Sequence, residues 1–255
     1  MNRQAQAAVL FLTGGAILHT GLTDLHLRYV KAGLRPLLLA AGLVLIATAL
    51  ATIRYERRAA RTHPHKALPS ASVPAPAPSP VPTHVHREPW IAWLLVLPLL
   101  ALVLVSPPAL GSYSAMRTGT ALQKQPWGFA DLPAGDTVRL SLVDYAGRAA
   151  YDGGRSLAGR RIRTAGFVAV DRDGAPYLVR MALSCCAADG QPVKVGMTGR
   201  TPPVLRPDAW LEVTGTYTPK RIEDPVNGGV IPFLDITEAK PVEAPRDPYD
   251  ESWNG

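Results

Sequence analysis

Three stretches of the chain are long and apolar, and the remainder alternates or turns polar. Gln4 to Thr23, Pro36 to Ile53 and Pro89 to Met116 each run without an Asp, Glu, Lys or Arg. A hydrocarbon core of ~30 Å needs about 20 helical residues. The pattern therefore predicts transmembrane helices at about 4–23, 36–53 and 90–110. Arg35 and Arg54 flank the second, where their stems can reach the interface, and Trp90 and Trp93 open the third as an aromatic belt does. The first lacks a small-x-small cleavage site before Asp24, which favours a retained helix over a removed signal peptide.

The later pattern changes period. Short runs with β chemistry appear at Thr137–Val143, Arg161–Asp171, Tyr177–Leu183, Val193–Gly196, Trp210–Tyr217 and Val230–Ile236. Arg161–Val170 alternates as a half-buried strand does. Asp173-Gly174 and Asn227-Gly228-Gly229 carry hairpin turn chemistry, and Asp144–Tyr151 reads as one short helix. Strands of this length and spacing fit a small closed barrel of the OB type. The organisation expected is a helical pair at 1–53, a linker at 54–89 and a third span at 90–110. A tether at 111–132, an OB-like β domain at 133–245 and a tail at 246–255 follow. Phe167 and Trp210 are expected as core residues of this domain.

Composition sharpens this picture. The 255 residues include 25 prolines and only 18% charged side chains, and mean hydropathy is +0.06. The linker at 54–89 holds eight of those prolines and no apolar period, so it cannot bury a core. Net charge is +7. Residues 1–110 carry ten Lys or Arg against three acids, an excess equal to the whole +7, while residues 111–255 balance. A nucleic-acid-binding domain concentrates its positive charge on the folded part; this chain places it beside apolar helices instead. The linker holds six basic residues against three in the loop at 24–35. By the positive-inside rule the linker and the N-terminus are cytoplasmic and the β domain lies outside the cell membrane.

Candidate chemistry is sparse. No Walker A sequence, dinucleotide glycine fingerprint, H-E-x-x-H or C-x-x-C occurs, and Gly154-Arg155-Ser156-Leu157-Ala158 misses G-x-S-x-G by its last residue. All six histidines lie before residue 87, which excludes a histidine-based triad within the β domain. Cys185 and Cys186, the two cysteines of the chain, stand with Asp189 in Ser184-Cys185-Cys186-Ala187-Ala188-Asp189-Gly190. This cluster suits soft-metal ligation or thiol redox exchange. If the segment continued a strand, the two thiols would point to opposite faces. His63, His65, His84 and His86 form two H-x-H pairs in the linker that can hold a divalent transition metal. His19 and His26 are seven apart, so a continuous first helix puts both on one face as intramembrane polar groups.

The helices and histidine-bearing linker, with Leu157–Val168 (L-x-G-R-x-I-x-x-x-G-F-V), S-C-C-A-A-D-G at 184–190 and the terminal Asp247-Pro248-Tyr249, form one pattern. It resembles a bacterial family, the YcgQ-like proteins, described as small subunits of two-component permeases. That resemblance implies pairing with a larger polytopic permease subunit, with Cys185, Asp189 and Cys186 as the matching site positions; the helix pattern and the missing energy-coupling motif lead to the expectation of a non-catalytic accessory subunit.

Overall fold

The computed structural model describes residues 3–62, 108–122 and 128–249. The chain divides into two units: Met1–Thr23 with Pro36–Pro107, and Asp24–Arg35 with Pro108–Gly255.

In the first unit, α1 (Arg3–Leu22) and α2 (Arg35–Thr62) pack closely. A Cβ on Gly14 would lie 2.9 Å from Ile46 Cγ1 and 3.0 Å from the Gly42 carbonyl oxygen, so the weakly hydrophobic centre of α1 is a close-approach point. Leu37, Leu43 and Val44 of α2 are exposed. Among the described residues, one helix has the length and apolarity to cross a membrane. It is α2, with a mean hydropathy of 2.3 in its most apolar window, and it fits an anchor or a signal sequence.

Two boundaries in the N-terminal half and the place of His26 differ from expectation. α2 continues past Ile53 to Thr62, because Arg54, Glu56, Arg57 and Arg58 are good helix formers and no breaker comes before Pro64. The linker therefore begins later than residue 54. α1 stops at Leu22, where the Thr20 and Thr23 hydroxyls donate back to carbonyls of the preceding turn. His26 then lies in a separate 3-10 turn, Asp24–Arg28, and is buried in the second unit. It does not share a helix face with His19. The third expected span lies outside the described residues except at 108–110, which are not helical and belong to the second unit, where the Leu110 amide donates to Tyr249 Oη.

The second unit holds a mixed β-barrel. Its strands are β1 (Thr137–Arg139), β2 (Arg161–Val170), β3 (Pro176–Ala182), β4 (Gln191–Gly199), β5 (Trp210–Glu223) and β6 (Val230–Val242). The order is β1-β2-β3-β4-β6-β5, and β5 returns to pair with β2, closing a ring of five strands. That closing ladder runs antiparallel from Arg161↔Thr216 to Phe167↔Trp210. β4 and β6 pair in parallel, and β1 adds to β2 in parallel outside the ring. Both expected hairpins form, with Gly174 and Gly228 in the left-handed region. At Gly215, beside a register shift, a Cβ would sit 2.4 Å from the Asp235 carbonyl oxygen, so only glycine fits there.

Two clusters of buried side chains flank the sheet. α4 (Leu142–Tyr151) packs on one face, with Leu142, Tyr145 and Ala149 against Ile162, Leu178, Val195, Val213 and Leu234. Ser141 Oγ accepts from the Asp144 amide as N-cap, and Tyr145 Oη donates to the Phe233 carbonyl at 2.6 Å. The expected strand Thr137–Val143 thus splits into β1 and the start of this helix. On the other face, α3 (Ser112–Arg117) and Tyr249 cover Phe167, Val179, Met181 and Ile231. Covering both faces explains why Thr164 to Ala169 are buried without a break, where alternation was expected. Phe167 and Trp210 meet edge to face with centroids 6.0 Å apart.

The tether and the tail also depart from expectation. Residues 112–122 are part of the domain: Ala115 and Thr120 are buried, and the Ala121 amide donates to the Pro192 carbonyl. At the other end, Tyr249 is buried and its hydroxyl bonds two backbone segments, so the chain stays docked through residue 249.

Candidate functional site

β3 ends at Ala182, and the chain turns at once into a loop that closes with a 3-10 turn, Ala187–Asp189. Cys185 and Cys186 sit in this loop rather than on the strand, so strand alternation does not separate them. Their Sγ atoms are 3.6 Å apart, with Cys185 exposed and Cys186 half-buried.

Asp189 organises the loop. Its Oδ1 accepts from the Ser184 amide at 2.8 Å, and its Oδ2 from the amides of Cys185 at 2.8 Å and Cys186 at 3.3 Å. The arrangement has the reciprocity of a capping box, with the Asp189 amide returned to Cys186. Hydrogen bonding from Cys185, reinforced by the loop amides, holds the Asp189 carboxyl down at about 2. Conversely, hydrogen bonding to Asp189 and then to Cys186 pushes the Cys185 thiol up to about 12.

A second strand of backbone frames the loop from the far side. Tyr29 O accepts from the Ala187 amide at 2.7 Å, the Lys31 amide donates to the Cys185 carbonyl at 3.1 Å, and Val30 bridges Cys186 in antiparallel fashion. Val30 is 156 residues from Cys186 in sequence, and its segment carries no motif that announces the pairing. The same segment is held at its start by the Arg246 guanidinium, which donates to both Asp24 carboxylate oxygens.

Cys185, Cys186 and Asp189 thus bring two sulfurs and one carboxylate oxygen within 4.8 Å of one another. Of the other expected site residues, His19 is exposed on α1 and His26 is buried, its carbonyl accepting from the amides of Tyr29 and Val30. The two stand on different elements, α1 and the 3-10 turn Asp24–Arg28. His63, His65, His84 and His86 lie outside the described residues.

The barrel and the docked C-terminal residues locate the region of the chain that comparison recognises. Residues 149–250 match the DUF1980 C-terminal domain family. The DUF1980 segment starts near the end of α4 and takes in all five ring strands, the cysteine loop and Asp247-Pro248-Tyr249. It leaves α1, α2 and β1 outside. No curated protein and no solved structure matches the chain.

Proposed function

We propose that this chain is a non-catalytic, membrane-embedded accessory subunit of a permease-like complex, with its barrel on the extracytoplasmic face. The supporting observation is the seat of residues 24–35 on the barrel, through Val30 and Cys186, Asp24 and Arg246, and Arg28 and Tyr249. A loop and a domain joined in this way share one side of the membrane. The chain must then cross an even number of times between residues 36 and 107. One crossing by α2 and one by the apolar run at 90–107 satisfy that count, and α1 adds the third span. The basic linker falls on the cytoplasmic side, as the positive-inside rule requires.

Three helices are too few to enclose a solute pathway, so the resemblance to permease small subunits implies a larger polytopic partner alongside the lipid bilayer; nucleic acid is no part of this reading. Within the β domain, the five-strand ring with one capping helix supports the OB-like description. A thiol oxidoreductase is the weaker reading. Such enzymes depress the pKa of their attacking thiol, whereas hydrogen bonding raises that of Cys185.

Two measurements test the proposal. Protease added to intact cells should cleave within the β domain while sparing the linker. Affinity purification from detergent-solubilised membranes should recover a larger polytopic protein. A protected β domain, or recovery of the chain alone with solute uptake unaffected by its deletion, would overturn it.

A further inference from the structure

We propose that Cys185, Cys186 and Asp189 form a solvent-facing site for a thiophilic divalent cation of the zinc class. The inference stands apart from the permease reading and rests on three features of the cysteine loop.

The first is the sulfur spacing. Two thiolates on a tetrahedral zinc at about 2.3 Å each lie ~3.8 Å apart. The Sγ atoms here are 3.6 Å apart, close to one edge of that tetrahedron. A disulfide needs about 2.05 Å, and a linear two-sulfur ion needs a wider gap of ~4.6 Å at the same bond length. The resting geometry is nearest to the four-coordinate case.

The second is the third ligand. Asp189 lies within 4.8 Å of both sulfurs, and its carboxylate is oriented by three backbone amides. A carboxylate has about four acceptor positions, so three amide bonds leave room for a cation. Outer hydrogen bonds of this kind hold ligands in place at metal sites.

The third is rigidity. The loop is pinned by Tyr29, Val30 and Lys31 through backbone bonds that leave the thiols free to bind. With Cys185 exposed, a fourth position opens to water. Open coordination of this type suits an ion that enters and leaves, not one that staples a fold. On binding, both thiols lose their protons to solvent and the sulfurs bond the metal as thiolates.

Cobalt(II) serves as the spectroscopic probe on the full-length, reduced, chelator-stripped protein in detergent. The chain carries His63→Gln, His65→Gln, His84→Gln and His86→Gln, so that the linker cannot contribute. One equivalent of cobalt should produce thiolate-to-metal charge-transfer absorption with the intense visible bands of a tetrahedral ion, and zinc should bleach both. Cys185→Ser and Cys186→Ser should each weaken binding at least tenfold, and Asp189→Asn should shift the visible bands while the charge transfer remains. In parallel, one equivalent of zinc should protect both thiols from alkylation, read by mass spectrometry on the unmutated chain. The site is refuted if charge transfer is absent, if either serine variant binds as the parent does, or if zinc leaves alkylation unchanged. None of these results bears on membrane topology or on co-purification, so the two proposals fail separately.

Discussion

Lys194 Nζ lies 2.8 Å from Asp224 Oδ2, with both side chains sealed from solvent. The same carboxylate accepts from the Thr120 amide at 2.9 Å and, through its other oxygen, from the Val226 amide. One ion pair thus joins β4, the turn between β5 and β6, and the segment that follows α3. Breaking a buried pair from one side strands a charge in a poor solvent, which costs about 3–5 kcal/mol. Asp224→Ala should therefore lower the denaturation midpoint sharply. Lys194→Met combined with Asp224→Leu should recover much of the loss, because no charge is then stranded. Equilibrium denaturation of the detergent-solubilised chain measures both.

Tyr249 performs a similar joining task with one hydroxyl. It donates to the Arg28 carbonyl at 3.0 Å and accepts from the Leu110 amide at 2.9 Å. Tyr249→Phe keeps the ring and orphans both backbone groups, an expected loss of about 1–3 kcal/mol. Hydrogen exchange should quicken at Leu110 and across residues 29–31, while β2 and β5 keep their protection. Unchanged exchange at Leu110 would show that the hydroxyl does not hold this seat.

Neighbouring glycines in α1 should respond in opposite directions. A Cβ at Gly15 meets nothing within 4 Å, so Gly15→Ala should gain the ordinary helix preference of about 0.8–1 kcal/mol. At Gly14 the same methyl meets Ile46 and the Gly42 backbone at 2.9–3.0 Å. There the overpacking cost of about 1–3 kcal/mol should cancel or exceed the helical gain. Thermal unfolding of the two variants in one detergent makes the comparison, and equal behaviour would contradict the α1–α2 contact.

Asp189 controls the reactivity of its neighbour. Removing its negative charge with Asp189→Asn should let the Cys185 thiol fall from about 12 toward its ordinary value of 9.0. Thiolate becomes more abundant, though each thiolate is a weaker nucleophile at lower pKa. Alkylation at pH 8 in the metal-free protein should then rise about tenfold. The sign for the carboxylate is the reverse. Its folded pKa is depressed to about 2, so its contribution to loop order is complete above 3.8 and lost as pH falls through the lower value. Mild acid should leave the loop intact.

Local pattern located the ring strands well. Arg161–Val170 and the hairpin turns at Gly174 and Gly228 stand where β periodicity and turn chemistry put them. Such signals are short-range and survive in one dimension. Boundaries were missed where neighbours in space override the run. β5 extends to Glu223 and β6 to Val242 because each supplies the other's hydrogen bonds beyond its apolar stretch. The seat of Val30 on Cys186 had no legible signal, since a backbone bridge needs no particular side chain. The cysteine cluster was visible as a composition, but its 3.6 Å spacing was not, because that depends on the loop leaving the strand before Ser184.

The amino-acid order alone determined the two N-terminal apolar helices, the β character of the C-terminal part and the identity of the few groups able to do chemistry. These follow from burial preference and backbone propensity, which act residue by residue. Only the tertiary structure decided that residues 24–35 and 112–122 belong to the barrel and that two thiols and a carboxylate converge. Those outcomes are settled by contacts between segments up to 222 residues apart, where packing and hydrogen-bond satisfaction select one arrangement from many that the same local preferences allow.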